Sequence, residues 1–242
     1  MTYCVGLLVD TGLVLLSDSR TNAGVDQINT FRKMAIFQTP GERVMVLMSA
    51  GNLAITQAVV NLLHEPADLS GELPKIYSAT NLFNAARVVG EALREIHGRD
   101  AEALKEHGHE FNGTFILGGQ IRGEEPRLFH IYSAGNFIES STDTPYFQIG
   151  ESKYGKPIID RVISRSSSIA QAAKCALVSM DSTIRSNLTV GPPLDLAIVR
   201  RDEFKLATHI SIDFEHAYFK MIRGRWGAAL KEVFAELPNP EW

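Results

Sequence analysis

The feature that most constrains this chain is its first thirty-four residues, MTYCVGLLVDTGLVLLSDSRTNAGVDQINTFRKM. Tyr3 to Val9 is an apolar, β-prone run of the kind found in a buried strand. Asp10-Thr11-Gly12 is a turn signal, and Leu13 to Leu16 returns as a second strand that delivers Ser17-Asp18-Ser19-Arg20 at its end. A hairpin of this length carries Asp18 back towards the chain start. Lys33 follows just before the β-prone segment Ala35-Ile36-Phe37.

Thr2 stands directly after the initiator methionine, where a residue this small normally allows Met1 to be trimmed. A terminal threonine is a self-contained nucleophile and base, because its own α-amine can take the hydroxyl proton. An α-amine with a pKa of roughly 8 suits that work near neutral pH. A lysine beside Thr2 would lower the energy of a developing alkoxide, and Asp18 would keep that lysine charged and aimed. Taken singly, each residue also has an ordinary reading: a chance Met-Thr start, a strand-end cap, a lysine in water.

The pattern T-x-x-x-G-x-x-x-x-x-G-x-x-L-x-x-D-x-R, followed by Arg32-Lys33-Met34, resembles the proteasome β-subunit family of N-terminal nucleophile hydrolases. The segment Asp181 to Asp202, DSTIRSNLTVGPPLDLAIVRRD, is similar to the bacterial branch of that family called Anbu, the ancestral β subunit. Having Met1 alone before Thr2 also fits that branch. The resemblance covers nearly the whole chain and implies a fold: an α+β, four-layer αββα sandwich with two antiparallel sheets between helical layers. It implies a single domain over 1–242, with residues 214–242 as a C-terminal helical extension.

The resemblance also implies roles. Thr2 is the expected nucleophile, with Asp18 and Lys33 completing the core, although one residue fewer than usual separates those two. Ser49-Ala50-Gly51-Asn52 is a strand-to-helix turn whose glycine N–H is a natural oxyanion donor, and Gly51 takes that role. Val46 and Met48 on the preceding strand, together with Arg20, are expected to border the substrate. Where relatives carry G-S-G, this chain has Gly150-Glu151-Ser152. Either Ser152 reaches the site by a local shift, or the Glu151 carboxylate replaces it and raises the amine pKa. Ser182 to Asn187 reads as a polar loop that would brace the nucleophile through Ser186, with Asp181 as a helix-end partner. Main-chain carbonyls of Met180, Thr183 and Ser186 are expected to hold a hard cation, Na⁺, Mg²⁺ or Ca²⁺. No cofactor is required. His97, His107 and His109 lack the spacing of a metal site and read as solvated helix ends.

The implied activity is hydrolysis of peptide amides through an acyl-enzyme on Thr2, with a catalytically silent assembly subunit or a small-molecule amidase as alternatives. The substrate is a peptide or unfolded protein, and self-association into a ring or open helix is expected; no residue identifies an unfoldase partner. A formal net charge of -4 gives no sign of nucleic-acid binding. No apolar run approaches the roughly 20 residues of a membrane span, and two cysteines fit reduced thiols, so a cytoplasmic protein is expected. The final amphipathic segment, Phe214 to Leu237, carries an apolar stripe (Phe219, Ile222, Trp226, Leu230, Val233, Phe234) and two glycines, Gly224 and Gly227, that predict a bend. That stripe packs either on its own domain or on a neighbouring subunit.

Overall fold

A computed structural model describes residues 1–22, 28–66 and 74–242. In chain order the strands and helices are β1 (Tyr3–Val9), β2 (Gly12–Asp18), β3 (Arg20–Asn22), β4 (Ile28–Thr30), β5 (Met34–Thr39), β6 (Arg43–Gly51), α1 (Leu53–His64), α2 (Leu82–Glu106), β7 (Gly113–Ile121), β8 (Arg127–Ile131), β9 (Phe137–Glu139), β10 (Tyr146–Gly150), α3 (Lys156–Val162), α4 (Ile169–Ser186), β11 (Leu194–Arg200), β12 (Leu206–Ile212) and α5 (Ala217–Glu236).

Two antiparallel five-stranded sheets form the centre, in the orders β10-β1-β2-β11-β12 and β5-β6-β7-β8-β9. Because side chains alternate across a strand, each sheet has two apolar faces to cover. The even positions Val14 and Leu16 of β2 join Tyr3, Val5 and Leu7 beneath α3, α4 and the start of α5. The odd positions Leu13 and Leu15 meet Val44, Val46 and Met48 of β6 between the sheets. The far face of the second sheet, including Met45, Leu47, Phe115 and Leu117, is covered by α1 and α2. Three apolar layers separate four structural ones, which is the αββα sandwich the resemblance implies.

Gly118 and Gly119 lie inside β7, paired on both sides. A Cβ on Gly119 would sit 2.2 Å from the Val44 carbonyl oxygen, so glycine here permits close strand packing instead of a turn. Helix α2 runs unbroken through Gly98, from Leu82 to Glu106 between Asn81 and His107 caps. Gly150 ends β10, and α3 begins only at Lys156. The loop expected at 182–187 is instead the last turn of α4, held by the Thr183 hydroxyl on the Ser179 carbonyl and by the buried Asp181 carboxylate meeting Arg223. Likewise α5 continues through Gly224 and Gly227. Between α1 and α2, Lys75–Ser78 is a 3₁₀ turn, and residues 67–73 lie outside the described residues.

Candidate active site

The site grows from the register of the first hairpin. Cys4 pairs with Ser17, so Asp18 arrives beside Tyr3, one residue from Thr2. The Tyr3 N–H donates to Asp18 Oδ1 at 3.1 Å, and the Gly191 N–H donates to Oδ2 at 3.3 Å. Lys33 Nζ completes the set, donating to Asp18 Oδ1 at 2.7 Å and to the Arg20 carbonyl at 2.7 Å. Both side chains are buried. Burial pushes the Asp18 carboxyl above its ordinary value, while Lys33 and the two backbone N–H groups oppose that shift.

Thr2 is held from the other side. Tyr3 pairs with Gly150 of β10, and the Glu151 N–H donates to the Thr2 carbonyl at 2.7 Å. Gly150 has φ +80°, and a Cβ there would lie 2.0 Å from the Thr2 oxygen, so only glycine lets the two backbones approach. The Tyr3 ring extends the clamp below: its hydroxyl meets Ser179 Oγ of α4 at 3.0 Å and receives the Gln148 amide at 2.6 Å. One strand end is thereby tied to a helix and to the neighbouring strand.

Thr2 and Lys33 line a cleft of about 490 Å³ together with Thr21, Gly51, Asn112 and Gly150. Gly51 stands at its rim with φ +118°, and a Cβ there would lie 2.4 Å from the Asn112 carbonyl oxygen. The adjoining Asn52 caps α1 through Ala54 N at 2.9 Å, so the positive end of that helix faces the cleft. In this structure the α-amine sits on Met1, also in the cleft wall. Burial depresses its pKa, and Lys33 depresses it further; Asp18 and Glu151 act the other way.

The remaining site residues fall elsewhere. Val46 and Met48 do not border the cleft; both are fully buried between the sheets, because the alternation of β6 turns them inwards. Arg20 contributes its carbonyl to Lys33, but its guanidinium turns to the Leu188 carbonyl at 2.9 Å and packs on Gly191. Ser186 is exposed at the end of α4 and does not line the cleft. The proposed cation ligands do not converge either, since Met180 lies mid-helix, where its carbonyl serves the i+4 amide, and Thr183 accepts from Asn187 N–H. Ser152 turns its backbone to Gly150, Lys156 and Gln148. The Glu151 carboxylate is buried and accepts from Asn187 Nδ2 at 3.0 Å. Sequence reasoning missed Asn187, Gly191 and Ser179, which are distant in the chain and carry no local signal. Ser49, named only as the first residue of the strand-to-helix turn, also lines the cleft.

No family model matches the chain. Among solved structures, Anbu from Yersinia bercovieri is 52% identical, with 99% of each chain covered and a TM-score of 0.91. The chain belongs to the Anbu family. Anbu from Hyphomicrobium sp. strain MC1 is 46% identical over 99% of this chain and 100% of that one, with a TM-score of 0.88. The Pseudomonas aeruginosa Anbu complex, described as a helical assembly, is 46% identical over 99% and 98% of the two chains, with a TM-score of 0.89. More distantly, proteasome subunit beta 2 of Nitrosopumilus maritimus is 24% identical over 214 residues, 86% of this chain and 90% of that protein. The Anbu sandwich is that of the N-terminal nucleophile hydrolases.

Proposed function

We propose that this Anbu protein is a threonine-type hydrolase that cleaves peptide amides once Met1 is removed. The observation that carries the reading is the buried pair Lys33–Asp18 at 2.7 Å, whose lysine shares one cleft with Thr2. The Thr2 amine, directly or through water, takes the Thr2 hydroxyl proton, and the oxygen attacks the substrate carbonyl. Lys33 stabilises the alkoxide, and Asp18 holds Lys33. The Gly51 N–H receives the oxyanion, a donor worth roughly 2.7–4 kcal/mol in comparable sites. The proton passes to the leaving amine as the C–N bond breaks, and water then releases the acyl group from Thr2. The mechanism draws on no cofactor.

The substrate class is a peptide or unfolded chain. Self-association is part of the proposal: the P. aeruginosa relative is a helical assembly, and this chain exposes apolar residues on α5. A cytoplasmic site of action fits Cys4 and Cys175, two buried thiols whose pKa values burial raises. Among the described residues no helix is long and apolar enough to cross a membrane.

Intact mass followed by labelling with a β-lactone tests the activity. A mass short by one methionine and a single adduct that disappears in Thr2→Ala are the expected results. A trimmed, assembled protein that takes no adduct would instead be a silent assembly subunit, a role that the departure at Glu151 favours.

A further inference from the structure

Four carboxylates are buried among the described residues: Asp18, Glu151, Asp181 and Asp195. Three of them are ion-paired, Asp18 with Lys33, Glu151 with Lys153, and Asp181 with Arg223 and Arg185. Among the described residues Asp195 has no such cation, and its Oδ2, buried on β11, has no hydrogen-bond partner. A carboxylate buried in this way is costly unless a partner meets it. Burial pushes the Asp195 carboxyl above its ordinary value, and the charges that oppose the shift are Arg32 first and His209 second. The strand register shows where the carboxylate faces. Asp195 stands opposite Ser17 of β2, whose buried hydroxyl is also unpartnered, and opposite Ser211 of β12. Ala197, two residues on, packs between the sheets with Met34 of β5. Strand alternation therefore turns Asp195 into the same layer, one residue from the position paired with Asp18. Arg32 lies two residues before Met34, at the same end of that layer. It is exposed and, among the described residues, forms no ion pair. It also directly precedes Lys33.

We propose that Arg32 folds inwards onto Asp195 in the trimmed, assembled protein, and that this ion pair between the two sheets positions Lys33. The catalytic consequence rests on the threonine-hydrolase reading. Asp195 acts through Arg32 and is a positioning residue. Lys33 is held at its tip by Asp18 and the Arg20 carbonyl, and at its backbone by the Ser49 N–H, which donates to the Lys33 carbonyl at 2.9 Å. The Arg32–Asp195 pair adds an anchor to the first sheet one residue away. The ammonium then keeps its place while the Thr2 alkoxide forms.

The test measures β-lactone labelling of Thr2 across pH, with thermal melts, in the trimmed, assembled parent, Asp195→Asn, Arg32→Met, their double variant and Arg32→Lys. Each of the first two variants should slow labelling about tenfold, short of the roughly 100-fold that a 1 Å displacement can cost. The double variant should be no slower than either single one, since both remove the same pair. Arg32→Lys keeps the charge and should recover most of the rate. In the slow variants the labelling inflection should move to higher pH, because a loosened Lys33 depresses the terminal amine less, while Asp18 and Glu151, the other charges at that amine, are unchanged. A merely structural loss would lower the rate at every pH alike. If Asp195→Asn melts higher than the parent and labels at the parental rate, the carboxylate has no partner and the proposal is overturned; additive effects in the double variant overturn it as well. A parent that takes no adduct overturns the hydrolase reading instead, and the pair then stands or falls on whether the melting shifts of the two single variants are non-additive.

Discussion

Lys33 Nζ lies 2.7 Å from Asp18 Oδ1; the Asp18 side chain is sealed from solvent and only the edge of Lys33 opens on the cleft. An ion pair in such a place is costly to break from one side, because the surviving charge is left buried. Lys33→Ala should therefore cost about 3–5 kcal/mol of stability as well as abolish lactone labelling. The two effects separate in the double variant Asp18→Asn/Lys33→Met, which removes both charges of this pair. Thermal melts should recover most of the lost stability in the double variant while labelling stays absent. Recovery of labelling there would show that the pair serves the fold alone.

The pH dependence follows from the groups around the amine. Burial first, and Lys33 second, hold the terminal ammonium below its ordinary value of 8.0 in this structure. After trimming, the amine belongs to Thr2 in the same cleft, and only its neutral form is a base. The labelling rate should rise with pH and level off above an inflection lower than 8. Glu151 pulls the other way, since its carboxylate favours the charged amine. Glu151→Gln should move the inflection to lower pH and raise the rate at pH 6 relative to that at pH 8. A pH–rate profile unchanged by the substitution would mean that Glu151 acts through Asn187 and the backbone alone.

The hairpin and its two flanking charges were legible in the sequence because they are local: a strand, a two-residue turn, a strand, and a lysine at the head of the next strand. Asp18 had to approach Tyr3 once that register was set. What could not be read came from distant parts of the chain. Gly191 and Asn187 reach Asp18 and Glu151 from about 170 and 36 residues away, and no spacing rule links such positions. Val46 and Met48 were misassigned for a different reason. A fully apolar strand does not announce which alternate set faces a cleft, and β6 is buried on both sides. The segment 182–186 was misread because its serines, threonine and arginine have the composition of a loop. The buried contacts of Asp181 and Thr183 keep it helical.

Tyr3 gives a direct probe of how rigidly the nucleophile is held. Its hydroxyl bridges Ser179 of α4 and Gln148 of β10, one residue along the chain from Thr2. Tyr3→Phe keeps the ring and leaves the Gln148 amide without that acceptor. The expected loss is about 1–3 kcal/mol, as for a buried polar group deprived of its partner. Labelling of Thr2 should slow even at temperatures well below the melt, because β1 loses an anchor one residue from the nucleophile. Ser179 still bonds the Ala176 carbonyl, so Ser179→Ala should perturb both quantities less.

The last helix divides into two halves with different environments. Phe219 and Ile222 are buried in the apolar layer under the first sheet, and Trp226 packs against its edge. Beyond them Leu230, Val233 and Phe234 are 52%, 58% and 77% exposed. The stripe therefore serves its own domain for its first two turns and leaves the rest uncovered in the monomer. Side chains this exposed contribute little to monomer folding, whereas burying them against a second copy would remove a contiguous apolar surface from water. The double substitution Val233→Glu/Phe234→Glu should leave the unfolding transition of the isolated subunit nearly unchanged. In sedimentation velocity the same protein should shift from a large species to the monomer at micromolar concentration. Phe219→Ala should do the reverse, lowering the melting temperature by removing a core side chain, at a cost of about 3–5 kcal/mol. If the glutamate variant assembles like the parent, contacts elsewhere hold the subunits together and the second half of α5 is free for another partner.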